Sequence, residues 1–339
     1  MTKPTLELAR AQILAHRRRA GSLDESLPPG QASLERAAWA GLQDSMPRSA
    51  LLSIHARVAE TQPSAWEDPA FVQLWGPRYN AYVVAARDLA VFTLGRLPDR
   101  PAARQFAEEH ADRMESVLDG RRLPYAEVGR LLGNHPRALA YAAPTGRVLI
   151  RWEGARQPTV WTVARPQMEP REARLELARR YLHVFGPATE ESFAAWAGIR
   201  RGGALAFDGL REELIPVRTP LGEAWILASD EASFSAAPSP AARARLLPSG
   251  DAYTLLWGTD RELLVPDADR RPLLWTSRVW PGALLVNGEI VGTWRRAEAK
   301  LSIQPWRTLS GAERVAVETQ AASLPLPGLR GPISVRWEL

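Results

Sequence analysis

The chain has 339 residues, with 43 Lys and Arg against 38 Asp and Glu, a net charge of +5 and a pI near 9.9; that length has room for two to four modules around a large core. The absence of cysteine excludes a disulfide scaffold, a zinc ribbon and a thiol nucleophile, and His16, His55, His110, His135 and His183 lack the spacing of a metal site, so neither metal nor cofactor is expected. No apolar run is long enough for a secretory signal or a membrane span, which predicts a cytoplasmic protein without a membrane partner, and the basic surplus favours an anionic partner such as nucleic acid.

Residues 1–97 predict helices over 4–20, 31–40 and 47–59, followed by strands in "FVQLWGPR" and "AYVVAA". The first helix ends in His16, Arg17, Arg18 and Arg19. Cations at a helix C-terminus suit the macrodipole, and four basic groups in one turn equally suit a phosphate track. Between the second and third helices, "GLQDSMP" sets Gln43, Asp44 and Ser45 side by side before Pro47. A helix entry needs one capping side chain, which Asp44 or Ser45 supplies, and the surplus leaves capping and chemistry both open. His55 reads as a helix histidine or a site residue. Arg57 and Arg78 read as phosphate clamps or as surface and ion-pair residues. Tyr79, Asn80 and Tyr82 can meet an unpaired base or pack the second strand.

Residues 98–168 repeat the order. "AARQFAEEHADRMESVLDG" is a helix closed by Gly120, "LPYAEVGRLLG" is one opened by Pro124 and closed by Gly133, "HPRALAYAAPTG" is a third, and "RVLIRWEGARQPTVWTV" is a hairpin. Residues 169–231 do so again, with "REARLELARRYLHVFG", "TEESFAAWAGI" capped by Thr189, a helical stretch at 200–210, and "ELIPVRT" and "AWILA" about a Pro-Leu-Gly turn. Three helices with a hairpin behind them describe a winged helix, so an α+β chain of three tandem winged helices is predicted. After the linker "SFSAAPSPAA", residues 243–339 bring the strands "TLLWG", "GALLVNGEIVGTWRR" and "KLSIQPW", an Asn-Gly hairpin and a helix at 309–323. These predict a small C-terminal β-barrel with a tryptophan-rich core of its own.

Three stretches, "FGPATEESFAAWAGI", "LLPSGDAYTLLWGTDRELL" and "GALLVNGEIVGTWRRAEAKLSIQPW", resemble the matching segments of the AlkZ/YcaQ-type superfamily of winged-helix DNA glycosylases, and the likeness covers nearly the whole chain. The resemblance implies three winged helices and a β-barrel around double-stranded DNA, damaged or not. It further implies a monomeric, monofunctional N-glycosyl hydrolase that excises alkylated or crosslinked bases in base excision repair or genotoxin resistance.

The family's catalytic motif is Gln, an apolar residue, then Gln or Asp. "GLQDSMP" keeps Gln43 and Pro47, puts Ser45 at the second motif position and Asp44 at the middle one; "WGPRYNAYVV" keeps Trp75 and Arg78 but has Tyr82 where His is expected. The catalytic candidates are therefore Gln43, Asp44 and Ser45. The DNA-binding candidates are Arg17, Arg18, Arg19, His55, Arg57, Arg78 and Tyr82, with Arg295 and Arg296 on the barrel surface. An alkylated purine leaves already carrying positive charge, so the protein must stabilise an oxocarbenium-like sugar and place a water, tasks for a carboxylate or an amide dipole. Ser45 and Tyr82 favour a rival, a non-catalytic tandem winged-helix DNA-binding or regulatory protein. No Gly-rich phosphate loop or nucleophile elbow supports another enzyme class.

Overall fold

The computed structural model describes residues 6–154, 156–199, 202–237, 241–329 and 331–338. Arg200 and Arg201 of the predicted helical stretch, and Pro238, Ser239 and Pro240 of the linker, lie outside the described residues.

The chain runs through β1 (Leu6–Glu7), α1 (Arg10–Ala20), α2 (Gln31–Ala37), β2 (Leu42–Gln43), α3 (Ser49–His55), β3 (Phe71–Trp75), β4 (Ala81–Ala85) and α4 (Leu89–Thr93). Next come α5 (Pro101–Leu118), β5 (Leu123–Pro124), α6 (Tyr125–Leu131), a 3-10 segment (Pro136–Thr145), β6 (Val148–Arg151) and β7 (Thr159–Thr162). Then follow α7 (Pro170–Phe185), α8 (Glu190–Ala197), α9 (Gly202–Gly209), β8 (Leu214–Thr219), β9 (Gly222–Leu227) and α10 (Glu231–Ser235). The remainder holds β10 (Ala244–Leu247), α11 (Asp260–Leu264), α12 (Arg271–Leu274), β11 (Gly282–Val286), β12 (Glu289–Ala297), β13 (Lys300–Pro305), α13 (Gly311–Ala322) and β14 (Ser334–Trp337).

Local chemistry sets many of these ends. Pro101 and Pro170 open α5 and α7 at a position whose N–H has no partner within the helix. Thr189 and Ser192 cap α8 reciprocally, as Ser310 and Glu313 cap α13. Asn287 and Gly288, with φ of 49° and 83°, form the two-residue turn that joins β11 to β12.

Among the described residues the strands make a mixed α/β fold of three three-stranded sheets, ordered β2-β4-β3, β5-β7-β6 and β1-β8-β9, and one five-stranded sheet, β10-β11-β12-β13-β14. The last sheet begins at β10 and ends at β14 without pairing the two, so it is open where a barrel was expected. Its apolar face is instead covered by α13, whose Val317 and Ala321 share a cluster with Leu246, Leu284, Leu301 and Ile303. "TLLWG" is not a strand: Ala252–Thr254 is a 3-10 turn, and Leu255 to Trp257 have no regular structure.

Two boundaries also differ from the sequence reading. β1 pairs in parallel with β8, Leu6 against Val217, and α1 buries Ile13 and Leu14 in the cluster that holds Leu177 and Phe234. β1 and α1 therefore join the third sheet and its helices, in a cluster that also takes in Leu74, Tyr82 and Phe92. The same cluster takes in Tyr253, Trp275 and Leu285, so the C-terminal part shares one core with the rest, while Trp294 packs separately under α13.

Candidate active site and nucleic-acid interface

Gln43 and Asp44 lie at the end of a strand, where successive side chains point to opposite faces, and they diverge accordingly. Asp44 turns inward. It is 3% exposed, its Oδ1 accepts the Ala50 N–H of the first turn of α3 at 3.0 Å, and its Oδ2 accepts from Gln73 Nε2 at 2.8 Å. Burial pushes its pKa up to about 6, and the Ala50 bond, the Arg48 and Arg151 charges and the Gln73 bond only partly oppose the shift. The expectation of a catalytic Asp44 is thus corrected: this carboxylate is a helix cap with both oxygens engaged inside the protein. Ser45, at the second motif position, has its hydroxyl buried with no hydrogen-bond partner.

Gln43 faces the other way. It sits opposite Tyr82 in register, and its Oε1 lies 3.3 Å from an Arg78 guanidinium nitrogen and 3.5 Å from the Tyr82 hydroxyl. Tyr82 is 1% exposed, so it supports Gln43 from beneath, which corrects the expectation that it contacts DNA. Its ring fits only because Gly41 and Gly76 lack side chains; a Cβ on either would fall within 3.0 Å of the ring. Burial pushes the phenol up to about 12, which keeps it a donor at neutral pH. From the C-terminal part, Gly250 approaches so closely that a Cβ there would lie 2.9 Å from Gln43 Nε2.

Arg78 and Tyr79 both take left-handed φ values, 54° and 59°, a conformation that costs roughly 1 kcal/mol or more per residue without glycine. The turn aims the Arg78 guanidinium across the exposed Trp257 ring, 4.8 Å from its centroid. Arg261 lies 5.5 Å from the same ring and 4.9 Å from that of Trp275. Burial, with the nearby Arg78 charge, lowers the Arg261 pKa. Among the described residues neither arginine has a carboxylate partner, so two cations flank one indole beside Gln43, an arrangement suited to a phosphate and a planar ring. A separate cleft of about 290 Å³ lies between Met46, Pro47 and Ser49 on one side and Trp280, Arg295 and Arg296 on the other, and its Trp280 ring is 5.4 Å from the Arg261 guanidinium. The sequence reading assigns no role to Trp257 or Arg261, since "TLLWG" reads as a strand; the signal present is an Arg four residues after a Trp, at the start of the short helix α11.

The basic run lies elsewhere. Arg17, 2% exposed, donates to the Phe185 and Gly186 carbonyls at 2.7 and 3.0 Å, at the C-terminus of α7. Arg18 pairs with Asp24 at 2.7 Å, and Arg19 donates to the Ser233 carbonyl. Arg57 makes a buried bidentate pair with Asp251 at 2.7 and 2.8 Å. The expected phosphate roles of Arg17, Arg18 and Arg57 are corrected, since all three side chains are buried and bonded inside the protein, Arg17 with only its Nη1 lacking a partner. His55 meets Ser323 Oγ at 3.2 Å, and burial, followed by the Arg245 charge, lowers its pKa to about 4. His16, His183 and Asp230, far apart in sequence, bring ligand-type atoms within 4.8 Å of one another. Both His16 nitrogens already bond to Ser233 Oγ and the His183 carbonyl, and His183 Nδ1 bonds to Asp230, so the trio ties α1 to α7 and α10.

The fold thus combines small helix-and-sheet units and an open C-terminal sheet with a cluster of Gln43, Arg78, Trp257 and Arg261. The chain belongs to the AlkZ-like DNA glycosylase family, whose model matches residues 36–325. An interstrand DNA cross-link repair glycosylase of Streptomyces sahachiroi is 31% identical over 162 residues, a match that covers 45% of this chain and 42% of that protein. The chain thus matches less than half the length of this relative. The solved structure of the Streptomyces sahachiroi DNA glycosylase AlkZ superposes with a TM-score of 0.77 over 98% of this chain and 100% of that one, at 21% identity, and has the same fold. No helix among the described residues is long and apolar enough to cross a membrane.

Proposed function

We propose that the protein is a monofunctional DNA glycosylase that excises alkylated or crosslinked bases from double-stranded DNA, acting as a cytoplasmic monomer without a cofactor. In this reading the three small sheets and their helices are winged-helix modules, and the open C-terminal sheet completes the DNA-binding face. The observation that carries it is Gln43, the retained first residue of the family motif, set beside Arg78, Trp257 and Arg261 within a chain that belongs to the family over residues 36–325.

The chemistry follows from the charges. A cationic purine departs without a strong acid, so the site must steady the sugar cation and hold a water. Arg78 turns from Gln43 to a phosphate when DNA arrives, which cancels a charge that would oppose the sugar cation and frees the Gln43 carbonyl to orient water. Arg261 holds a second phosphate and Trp257 stacks on the displaced base.

A specific observation favours the second reading, a DNA-binding protein without base release. Asp44 is committed to capping α3, and Ser45 offers a buried hydroxyl where the family has Gln or Asp. Measuring free base released from duplexes with N7-alkylated, N3-alkylated or crosslinked purines separates the two. The enzyme reading expects release that falls about 100-fold or more in Gln43→Ala with DNA affinity little changed. Salt-sensitive DNA binding with no release from any substrate supports the second reading instead.

A further inference from the structure

The left-handed backbone of Arg78 and Tyr79 is strained, and such a conformation persists only where its surroundings over-determine it. Two hydrogen bonds close the turn itself, from the Tyr79 N–H to the Gly76 carbonyl at 2.9 Å and from the Gly76 N–H to the Asn80 carbonyl at 2.8 Å. Further support comes from Arg96, in the 3-10 turn Leu94–Arg96 that follows α4. Arg96 is 3% exposed. Its Nη1 donates to the Trp75 carbonyl at 3.0 Å, its Nε donates to the Ala197 carbonyl at 2.8 Å, and its guanidinium lies 5.2 Å from the Tyr79 ring centroid.

These contacts bracket Arg78. Trp75 ends β3 three residues before it, Tyr79 follows it, and Ala197 ends α8, whose cap Gly198 lies so close that a Cβ there would sit 3.1 Å from the Arg78 backbone nitrogen. One guanidinium thus joins the strand before the turn, the ring after it and the helix packed against it. The Arg78 side chain remains free to cross the Trp257 ring and meet Gln43 Oε1.

A helix end alone does not call for such a residue. Among the described residues Arg96 has no carboxylate partner; burial lowers its pKa to about 10, and the groups that oppose the fall are the phenols of Tyr79 and Tyr82. A buried cation without an acid is destabilising, whereas the last carbonyls of a helix are readily satisfied by backbone N–H groups or water. What the planar fork adds is two donors and a flat face at fixed angles, which a lysine nitrogen does not reproduce.

We propose that Arg96 is a positioning residue for the Gln43 site, holding the Arg78–Tyr79 turn left-handed so that Arg78 is aimed at a DNA phosphate before DNA arrives. The inference rests on the DNA reading above, in which Arg78 meets a phosphate. Arg96 itself stays buried and touches no DNA.

The test is the salt dependence of duplex binding, read by anisotropy on the full chain as wild type, Arg78→Ala, Arg96→Met and the double variant. Losing one phosphate contact lowers the slope of log affinity against log salt by about 0.9, so a rise from about 50 to 200 mM salt weakens such a variant about 3-fold less than wild type. Arg78→Ala and Arg96→Met are each expected to show that loss, and the double variant no more than either, because the same contact is removed in all three. Circular dichroism and urea unfolding identify the variants that fold. If Arg96→Met does not, Arg96→Lys takes its place: it keeps the charge, lacks the fork and is expected to lose the same slope.

A wild-type slope in the folded Arg96 variant makes Arg96 purely structural and overturns the proposal. A double variant with about twice the loss also overturns it, since Arg96 then acts independently of Arg78. Arg78→Ala with a wild-type slope removes the Arg78 phosphate contact and the proposal with it, and leaves DNA binding standing. Failure of wild type to bind duplex at low salt overturns this proposal and the DNA reading together.

Discussion

Two buried carboxylates grip α3 from opposite ends and behave oppositely. Asp44 holds the first turn through the Ala50 N–H; Asp251, from the C-terminal part, holds Ser53 Oγ and Arg57 at the far end. Both are 3% exposed or less. Burial pushes both upward, but at Asp251 the Arg57 charge and hydrogen bonds, the Tyr253 N–H and the Ser53 hydroxyl outweigh it and its pKa falls. Asp44 has only neutral partners within bonding distance and rises to about 6. Depth therefore does not decide the state of a buried acid; a bonded cation does.

The largest test of this contrast removes the cation's partner. Asp251→Ala leaves Arg57 buried and uncompensated, and urea unfolding should show a loss of about 3–5 kcal/mol. A double substitution with Arg57→Met should recover much of it.

The second test uses pH. Asp44 has a folded pKa above its ordinary value of 3.8, so between about pH 4 and 6 the folded state holds a proton that the unfolded state has lost. Stability from this group falls as pH rises through that window, by about 3 kcal/mol in total. Asp44→Asn should abolish that component, seen as a difference between the wild-type and variant unfolding midpoints that grows from pH 4 to pH 6 and then levels off. Asp251 has the opposite sign: its contribution is present above its ordinary value of 3.8 and is lost as pH falls through its lower folded value. A wild type and Asp44→Asn with parallel profiles from pH 4 to 6 would end the contrast.

The smallest effect sharpens it. Ser45 carries a buried hydroxyl with neither charge nor partner, so Ser45→Ala should raise stability by about 1 kcal/mol, where a capping serine would lose that amount.

Features settled by neighbours in sequence were legible in it: the Thr189 cap, the prolines opening α5 and α7, the Asn287-Gly288 turn and the strands flanking Arg78. The alternation that parts Gln43 from Asp44 was legible as well, although which of the two faced inward was not. That depended on Gln73, twenty-nine residues on, offering its amide. The arginine run misled for a similar reason. A helix-ending cation suits its own helix, yet Arg17 serves the carbonyls ending α7, and no local pattern shows a partner 168 residues away. Barrel closure is likewise a meeting of β10 with β14, a long-range event that alternating strands do not specify. The Trp257–Arg261 pair stayed hidden because "TLLWG" has the apolar run of a strand, whereas Leu255 to Trp257 take no regular structure.

The pairing of β1 with β8 sets an order of events during synthesis. Leu6 leaves the ribosome long before Val217 exists, and at about 5–20 residues per second the interval is about 10–40 s. For most of it α1 lacks α7, and throughout it lacks α10, to cover Ile13 and Leu14. The earliest segment of the described chain is thus among the last to be seated, and a nascent chain stalled before residue 214 should expose α1 to proteases and chaperones.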